Sequence, residues 1–130
     1  MTTQYTPSLR LALPGTGELD GLWGQVVNDQ ITEMLEQAIT GQTTINTWTA
    51  NSHTLTSTDG TLDEARAAVL VAEDGSGNPS LPFSIVAPDA DKLYVVVNQT
   101  SNELGITTSA PGAQVVNIPS GKTAMVAISG

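Results

Sequence analysis

The sequence contains no cysteine, which excludes disulfides and thiolate metal sites. Basic residues are scarce, because four Lys and Arg stand against 13 Asp and Glu, for a net charge of −9. A nucleic-acid groove needs clustered Lys and Arg to neutralise phosphates, so we expect no nucleic-acid partner. The start of the chain resembles no signal peptide, and no segment approaches the roughly 20 apolar residues of a membrane span. We therefore expect no membrane partner.

The chain of 130 residues is long enough for one domain with an appended arm, and its hydrophobic fraction of 39% is enough for a core. A domain of this size buries only about two-thirds of the surface that its unfolded chain exposes. Its margin of stability is therefore modest, and help from neighbouring subunits is plausible. We divide the chain into an N-terminal arm and helix, residues 1–42, and a β domain, residues 43–130.

Residues 1–18 are predicted to form an extended arm, because two prolines and two glycines lie there among polar residues. An arm of this kind has too little partner surface to fold alone, and it orders when it lies across a partner. We expect it to attach the chain to that partner through a short apolar patch. The patch consists of Leu9, Leu11 and Leu13.

Residues 19–42 are predicted to form the one amphipathic helix. Asp20 is placed to cap its start, and Gly41 stands where a left-handed closing residue is wanted. Apolar residues recur at spacings of three and four and define one face, which we expect to pack on the β domain and on other copies of the chain. This face consists of Trp23, Val27, Ile31, Met34, Leu35 and Ala38.

From Thr43 onward the hydrophobic pattern has a period of two. Short β-branched segments alternate with turns rich in Gly, Pro, Asn and Asp, among them the Asp-Gly turn at residues 58–61. Strands of about five residues at regular spacing predict a mainly β fold, with an antiparallel β-sandwich or barrel-like domain.

Two of the predicted strands are apolar on both faces. In one, Leu93, Val95 and Val97 point one way and Tyr94 and Val96 the other, and the apolar residues 124–128 also occupy both faces of their strand. A strand of this kind must be covered on both sides. One interpretation is an interface between copies through Tyr94, Val96 and Met125, and the other is a closed sandwich whose central strands are merely hydrophobic.

The sequence contains few candidate catalytic, metal-binding or sugar-binding residues. The single His53 lies in a Thr-rich strand without a serine elbow, which favours an ordinary strand or interface histidine. The acidic segments 73–78 and 88–92 faintly resemble calcium loops, but both lack the terminal Glu that such a loop requires. We therefore predict no metal, no cofactor and no enzymatic activity. Trp23 and Trp48 could stack on a sugar, but packing of Trp23 on the helix face and partial burial of Trp48 are the favoured interpretations.

The helical segment resembles the N-terminal element of tailed-bacteriophage appendage and virion-surface proteins. In that family a Trp-Gly, an Asn four residues on and a closing Ala-Ile-x-Gly recur. This chain supplies Trp23, Gly24, Asn28, Ala38, Ile39 and Gly41.

The β part is similar to a small β module of the same phage proteins. The family pattern has an Arg before a strand, a Pro that ends another strand, a Lys-x-Tyr-x-Val-x-Asn-x-Thr strand and a late Pro-x-Gly turn. The matching residues are Arg66, Pro88, Lys92, Tyr94, Val96, Asn98, Thr100, Pro119 and Gly121. The two patterns together cover about residues 18–130 and consist of structural residues.

The resemblance implies a homotrimeric, non-enzymatic structural subunit of the virion, made in the host cytoplasm and placed on the particle surface. Its partners would be its own copies and other virion proteins, such as the major capsid protein or a tail component. Because the chain ends directly after its last strand, a compact capsid decoration (cement) or spike subunit is favoured. The alternatives are a tail-fibre or head-fibre component that binds a host receptor or glycan, for which Trp48 is the candidate, and a virion-associated hydrolase.

Overall fold

The computed structural model describes residues 3–77 and 83–130. Residue 78, the last of the acidic segment 73–78, lies outside them. The described residues form one two-stranded sheet, two four-stranded sheets and one helical segment. The strands are β1 (Gln4–Tyr5), β2 (Ala12–Leu13), β3 (Gln42–Thr47), β4 (Ser52–Thr54), β5 (Val69–Ser76), β6 (Phe83–Ala87), β7 (Lys92–Asn98), β8 (Leu104–Thr108), β9 (Val116–Ile118) and β10 (Thr123–Ile128).

Two four-stranded sheets enclose one core, so the prediction of a mainly β fold with a single helix is confirmed. The first sheet has the order β10-β7-β5-β3 and the second has the order β4-β6-β8-β9. Inward-facing side chains from both sheets form one buried cluster, to which Leu70, Tyr94 and Val96 contribute from the first sheet and Ile85 and Ile106 from the second. The alternation of side chains along each strand separates this core from the outer faces.

The prediction that the strands pair in an antiparallel manner is wrong for most of the sandwich. Four strand pairs are parallel, namely β3–β5, β5–β7, β4–β6 and β6–β8. Two strand pairs are antiparallel, namely β7–β10 and β8–β9. The reason is that the chain crosses from one sheet to the other after each strand from β3 to β7. Neighbours within a sheet are therefore two strands apart in sequence and run the same way. Short turns in the sequence indicate where strands end, but they do not show which sheet the next strand joins.

The helical segment is shorter than predicted and is not one regular α-helix. It runs as α1 (Trp23–Val27), a π-helical segment (Asn28–Thr32) and α2 (Glu33–Thr40). Asp20 is not the cap, since Leu22 occupies that position and no side chain caps the start. Gly41 is not left-handed but extended, with φ −66° and ψ 139°. Glycine is needed there for another reason, because an added Cβ would lie 2.4 Å from the carbonyl oxygen of Gln37.

The N-terminal residues form a small hairpin that is held against the domain, so the prediction of an extended arm is wrong. β1 and β2 pair antiparallel, with Tyr5 opposite Ala12. The cause is Arg10, whose buried guanidinium contacts the Asp63 carboxylate at 3.0 Å. The backbone φ of Arg10 is +57°, a conformation that costs free energy in a residue with a side chain. The ion pair compensates for this strain.

Asp63 also binds Arg66, which has no exposed surface. The Arg66 guanidinium lies 3.5 Å from the Asp63 carboxylate and donates to the carbonyl oxygens of Leu9, Thr58 and Thr61 at 2.7, 3.0 and 2.6 Å. Its burial lowers the pKa of Arg66, while the Asp63 charge opposes that effect. One carboxylate therefore joins the hairpin and the loop before β5.

The same loop holds the helix, because the Gln37 amide donates to the carbonyl oxygen of Asp63 and Gln37 Oε1 accepts from Arg66 at 3.5 Å. These bonds join the two parts into which the sequence was divided at residue 42. In the described part of the chain, no helix has the length and apolar character needed to cross a membrane.

We expect Asp63→Ala to lower the free energy of unfolding by about 3–5 kcal/mol, because two buried guanidinium groups lose their carboxylate. Urea denaturation followed by circular dichroism measures the change. Asp59→Ala is the matched control, since Asp59 is exposed in the same loop. Equal stability of the two variants would show that the Asp63 ion pairs are not needed for the fold.

Alkaline unfolding should depend on Tyr94. Its hydroxyl donates to the Ala65 carbonyl oxygen at 2.7 Å, and burial raises the pKa of Tyr94 to about 12. An unfolded tyrosine ionises near pH 10, so between pH 10 and 12 only the unfolded state loses the proton. The stabilisation is complete below pH 10 and is lost as the pH rises towards 12, by about 2 kcal/mol. Urea titrations at pH 9–12 should show a smaller decline for Tyr94→Phe than for Tyr5→Phe.

Candidate interaction surface

The outer face of the first sheet is apolar and partly exposed, most of all on β7 and β10. We use the name outer face for the side chains of β5, β7 and β10 that point away from the core. Met125 is directly opposite Val95 in the register and is 70% exposed, and Leu93 is 53% exposed. Contiguous apolar patches of this kind are uncommon on the surfaces of monomeric proteins, so this face is a candidate interaction surface. The outer face consists of Val69, Val71, Leu93, Val95, Val97, Met125 and Ala127.

Two of the three strand residues predicted for an interface are core residues instead. Tyr94 and Val96 are buried, because they share the inward parity of β7 and pack against the second sheet. Only Met125 lies on the outer face. The sequence showed the alternation of Leu93 and Val95 with Tyr94 and Val96, but it did not show which set points inward.

The inward side of β7 is set by two polar anchors, Asn98 and Tyr94. Asn98 is buried, and its amide nitrogen donates to the carbonyl oxygens of Asn102 and Ile118, both at 2.8 Å, while its oxygen accepts from Thr100. Tyr94 is anchored by Ala65 in the same way. A buried polar side chain must find such partners, so these residues fix the orientation of the strand. They have structural roles.

The helix borders the outer face and adds to it. A groove of about 420 Å³ lies between the hairpin, α2 and β7, with Leu9, Leu35, Ala38, Ile39, Ala68, Lys92, Leu93 and Val95 along its walls. Ile39, at 73% exposure, stands on the rim. The groove brings Leu9 of the predicted arm and Leu35 and Ala38 of the predicted helix face to the same place. Leu11 is half-buried and Leu13 is exposed elsewhere on the hairpin.

The other residues of the predicted helix face do not share one surface. Met34 is fully buried, Val27 and Ile31 are half-buried, and Trp23 is 65% exposed. The physical reason is the π-helical segment, in which each turn takes an extra residue. Residues that are spaced three and four apart across it therefore do not fall on one stripe. The sequence contains no pattern that predicts a π-helical segment at this position.

Lys92 is half-buried at the end of the groove. Its ammonium donates to the carbonyl oxygens of Ala67 and Leu93 at 3.1 and 2.9 Å and lies 4.4 Å from the centre of the Tyr94 ring. Burial lowers the pKa of Lys92, and the charge of Arg10 adds to that effect. The two carbonyl oxygens and the Tyr94 ring account for the position of the Lys92 ammonium, so Lys92 stabilises the start of β7.

His53 braces the loop between β4 and β5. Its Nδ1 lies 2.8 Å from the Thr47 carbonyl oxygen, and its Nε2 lies 3.0 Å from the Glu64 carboxylate. Glu64 in turn accepts from the Thr56 amide at 3.0 Å. The contacts are those of a strand histidine that links two segments. In residues 3–77 and 83–130 no group of three or more His, Cys, Asp or Glu side chains is arranged to hold a metal ion.

The prediction that Trp23 packs on the helix face is wrong, since Trp23 is 65% exposed, and Trp48 is buried more completely than predicted. Trp48 is 3% exposed, its indole donates to the Glu73 carbonyl oxygen at 2.9 Å, and its ring packs edge-on against Phe83 at 5.0 Å. A sugar cannot stack on a buried ring, so Trp48 is not a glycan residue. The exposed aromatic ring is Trp23, beside a cleft of about 380 Å³ that Pro14, Leu19, Asp20 and Val27 help to line.

No protein-family model, curated protein or solved structure that was compared with the chain matches it significantly. The resemblance to phage virion proteins therefore stays a prediction that rests on the residues named for it.

We expect Leu93→Asp to weaken self-association, because it places a carboxylate on the exposed part of the outer face. The loss of one buried leucine contact corresponds to about 2 kcal/mol per interface, or roughly thirtyfold in affinity. Leu62→Asp is the matched control, since Leu62 is equally exposed, at 52%, but lies on the loop before β5. Sedimentation equilibrium measures both. A monomeric wild-type chain at micromolar concentration would exclude the outer face as a self-association surface.

Proposed function

We propose that the chain is a non-enzymatic structural subunit of a tailed-phage virion that works as a homo-oligomer, either as a capsid decoration (cement) protein or as a spike. The observation that carries the proposal is the outer face, which leaves the apolar side chains of Leu93 and Met125 in water. A structural subunit that is completed by its own copies explains why a small domain keeps such a surface.

Charge supports a second copy as the occupant of the outer face. The chain carries a net charge of −9, so two copies repel each other wherever their carboxylates meet. The seven apolar side chains of the outer face carry no charge, and Glu73, in the middle of β5, is the one acidic residue that shares their side of the sheet. Identical acidic subunits can approach each other through this face at little electrostatic cost.

The number three is proposed on the resemblance, since a twofold dimer is the commonest closed homo-oligomer. The further partners are other virion proteins, such as the major capsid protein or a tail component, and the location is the particle surface. We still propose that the N-terminal residues attach the chain to the particle, but as a folded hairpin and not as an extended arm. Because Arg10 is tied to Asp63, the folded hairpin, with Leu13 exposed, would make the contact.

The location is tested on particles. Virions purified by density-gradient centrifugation should contain the chain in many copies, because a subunit of this kind binds a repeated lattice. Quantitative mass spectrometry of the gradient fractions gives the copy number relative to the major capsid protein. Recovery of the chain only in the soluble fractions of the lysate would contradict the proposal.

A further inference from the structure

The two edge strands of the first sheet carry no charge. β3 and β10 lie at its opposite edges, and neither Gln42–Thr47 nor Thr123–Ile128 contains Asp, Glu, Lys or Arg. Soluble proteins usually protect edge strands with charged side chains, Pro or bulges, since free backbone groups recruit other strands. β3 has a register shift between Ile45 and Thr47, which leaves its first four residues regular. Both edges are therefore open to pairing.

The outward backbone groups of β10 follow from its partner β7. The amide of Val95 donates to the Ala68 carbonyl oxygen at 2.9 Å, on the side of β5, so the backbone groups of Val95 point away from β10. Met125 is directly opposite Val95. In an antiparallel ladder both residues of such a pair point their backbone groups away from each other. The N–H and C=O groups of Met125, and by alternation those of Thr123 and Ala127, face the free edge.

The same reasoning applies to β3. The amide of Val69 donates to the Gly41 carbonyl oxygen at 3.0 Å, and Gln42 is directly opposite Val69 in the parallel register. A residue opposite a bonded one points its own backbone groups to the other side of its strand. The groups of Gln42 and Thr44 therefore face the second free edge, and both side chains are exposed.

We propose that β10 of one copy pairs with β3 of the next copy, head to tail, so that the first sheet continues from subunit to subunit. This inference rests on the proposed self-association. β10 runs antiparallel to β7, which is parallel to β5 and β3. A neighbour placed beside β10 with its strands in the same direction offers β3 antiparallel to β10. Each strand has six residues, so the lengths match.

Charge distribution favours this contact over other contacts between copies. All 13 acidic residues precede residue 104, so the segment that forms β8, β9 and β10 carries only Lys122 as a charged residue. The segment 42–54, which includes β3 and β4, contains no acidic residue either. The two edges are thus the sides of the subunit along the sheets where repulsion between copies is smallest.

The pairing also provides a cover for the outer face. A head-to-tail contact closes into a ring when its rotation allows, and it then uses two different patches on every subunit. In a ring formed in this way, the outer faces of all subunits point either towards the axis or away from it. Burial of Leu93, Val95 and Met125 favours the axis. One arrangement therefore satisfies the free edges and the apolar face together.

Cross-linking tests the pairing directly, because the chain has no cysteine of its own. Thr44→Cys and Met125→Cys each introduce one thiol, and a short bismaleimide joins thiols on adjacent strands. We expect covalent oligomers from the double variant and covalent dimers from a mixture of the two single variants, but none from either single variant alone. Cross-linking of Met125→Cys with itself would overturn the head-to-tail arrangement in favour of a twofold pairing of β10 strands.

A backbone variant separates edge pairing from side-chain contact. Met125→Pro removes the outward N–H, whereas Met125→Ala removes the side chain and keeps the N–H. We expect Met125→Pro to be monomeric and Met125→Ala to retain most of the oligomer in sedimentation. An unchanged near-ultraviolet signal from buried Trp48 shows that the Met125→Pro sandwich is folded. An oligomeric Met125→Pro variant would overturn the pairing.

The two proposals fail in different ways. An oligomeric wild-type chain without the cross-link between residues 44 and 125 overturns the pairing and leaves the proposed self-association standing. A monomeric wild-type chain at micromolar concentration overturns both. Cross-linked products larger than a trimer support the pairing and contradict the closed trimer.

Discussion

The other parts of the structure depend on the ion pairs and hydrogen bonds that the Asp63 carboxylate makes. It accepts from the Arg10 guanidinium, from the backbone amides of Thr58 and Arg66, and lies beside the Arg66 guanidinium. Through these bonds the Asp63 side chain fixes the hairpin and the loop before β5, while the main-chain carbonyl oxygen of Asp63 accepts from Gln37 of the helix. Two buried cations around one buried anion are stable only when every donor has an acceptor, and the carbonyl oxygens that surround Arg66 provide the remaining ones. The N-terminal part and the sandwich are therefore one cooperative unit.

Several elements of the fold were predictable from the sequence because local chemistry determines them. Short apolar, β-branched runs that end at turn residues predicted the strands Lys92–Asn98 and Thr123–Ile128, and the apolar periodicity predicted the helical segment. The parallel pairing was not predictable, since it depends on which sheet each strand enters. The hairpin was missed for a similar reason. Nothing near Arg10 in the sequence indicates that its partner lies 53 residues later.

The outer face was also only partly predictable from the sequence. That the strand around Val95 is apolar on both sides is visible in the sequence, and in the structure one side faces the core and the other faces outward. Which side belongs to the core is decided by Tyr94 and Asn98, whose polar groups find buried partners only on the inner side. A residue with a polar group that must be satisfied is thus a better guide to the inward face than hydrophobicity alone. The exposure of Trp23 and the burial of Trp48 depend on the π-helical segment and on the Glu73 carbonyl, and neither has a signal in the sequence.

The crossing of the chain between the two sheets has a consequence for folding. Because β3 to β8 alternate between sheets, a newly formed strand finds its hydrogen-bonding neighbour only after the intervening strand has been placed on the opposite layer. Neither sheet can therefore form before the other, and contacts that are distant in sequence dominate the transition state. We expect slow, all-or-none folding, in which the two sheets form at the same time. A chain released half-finished would have no stable sheet at all.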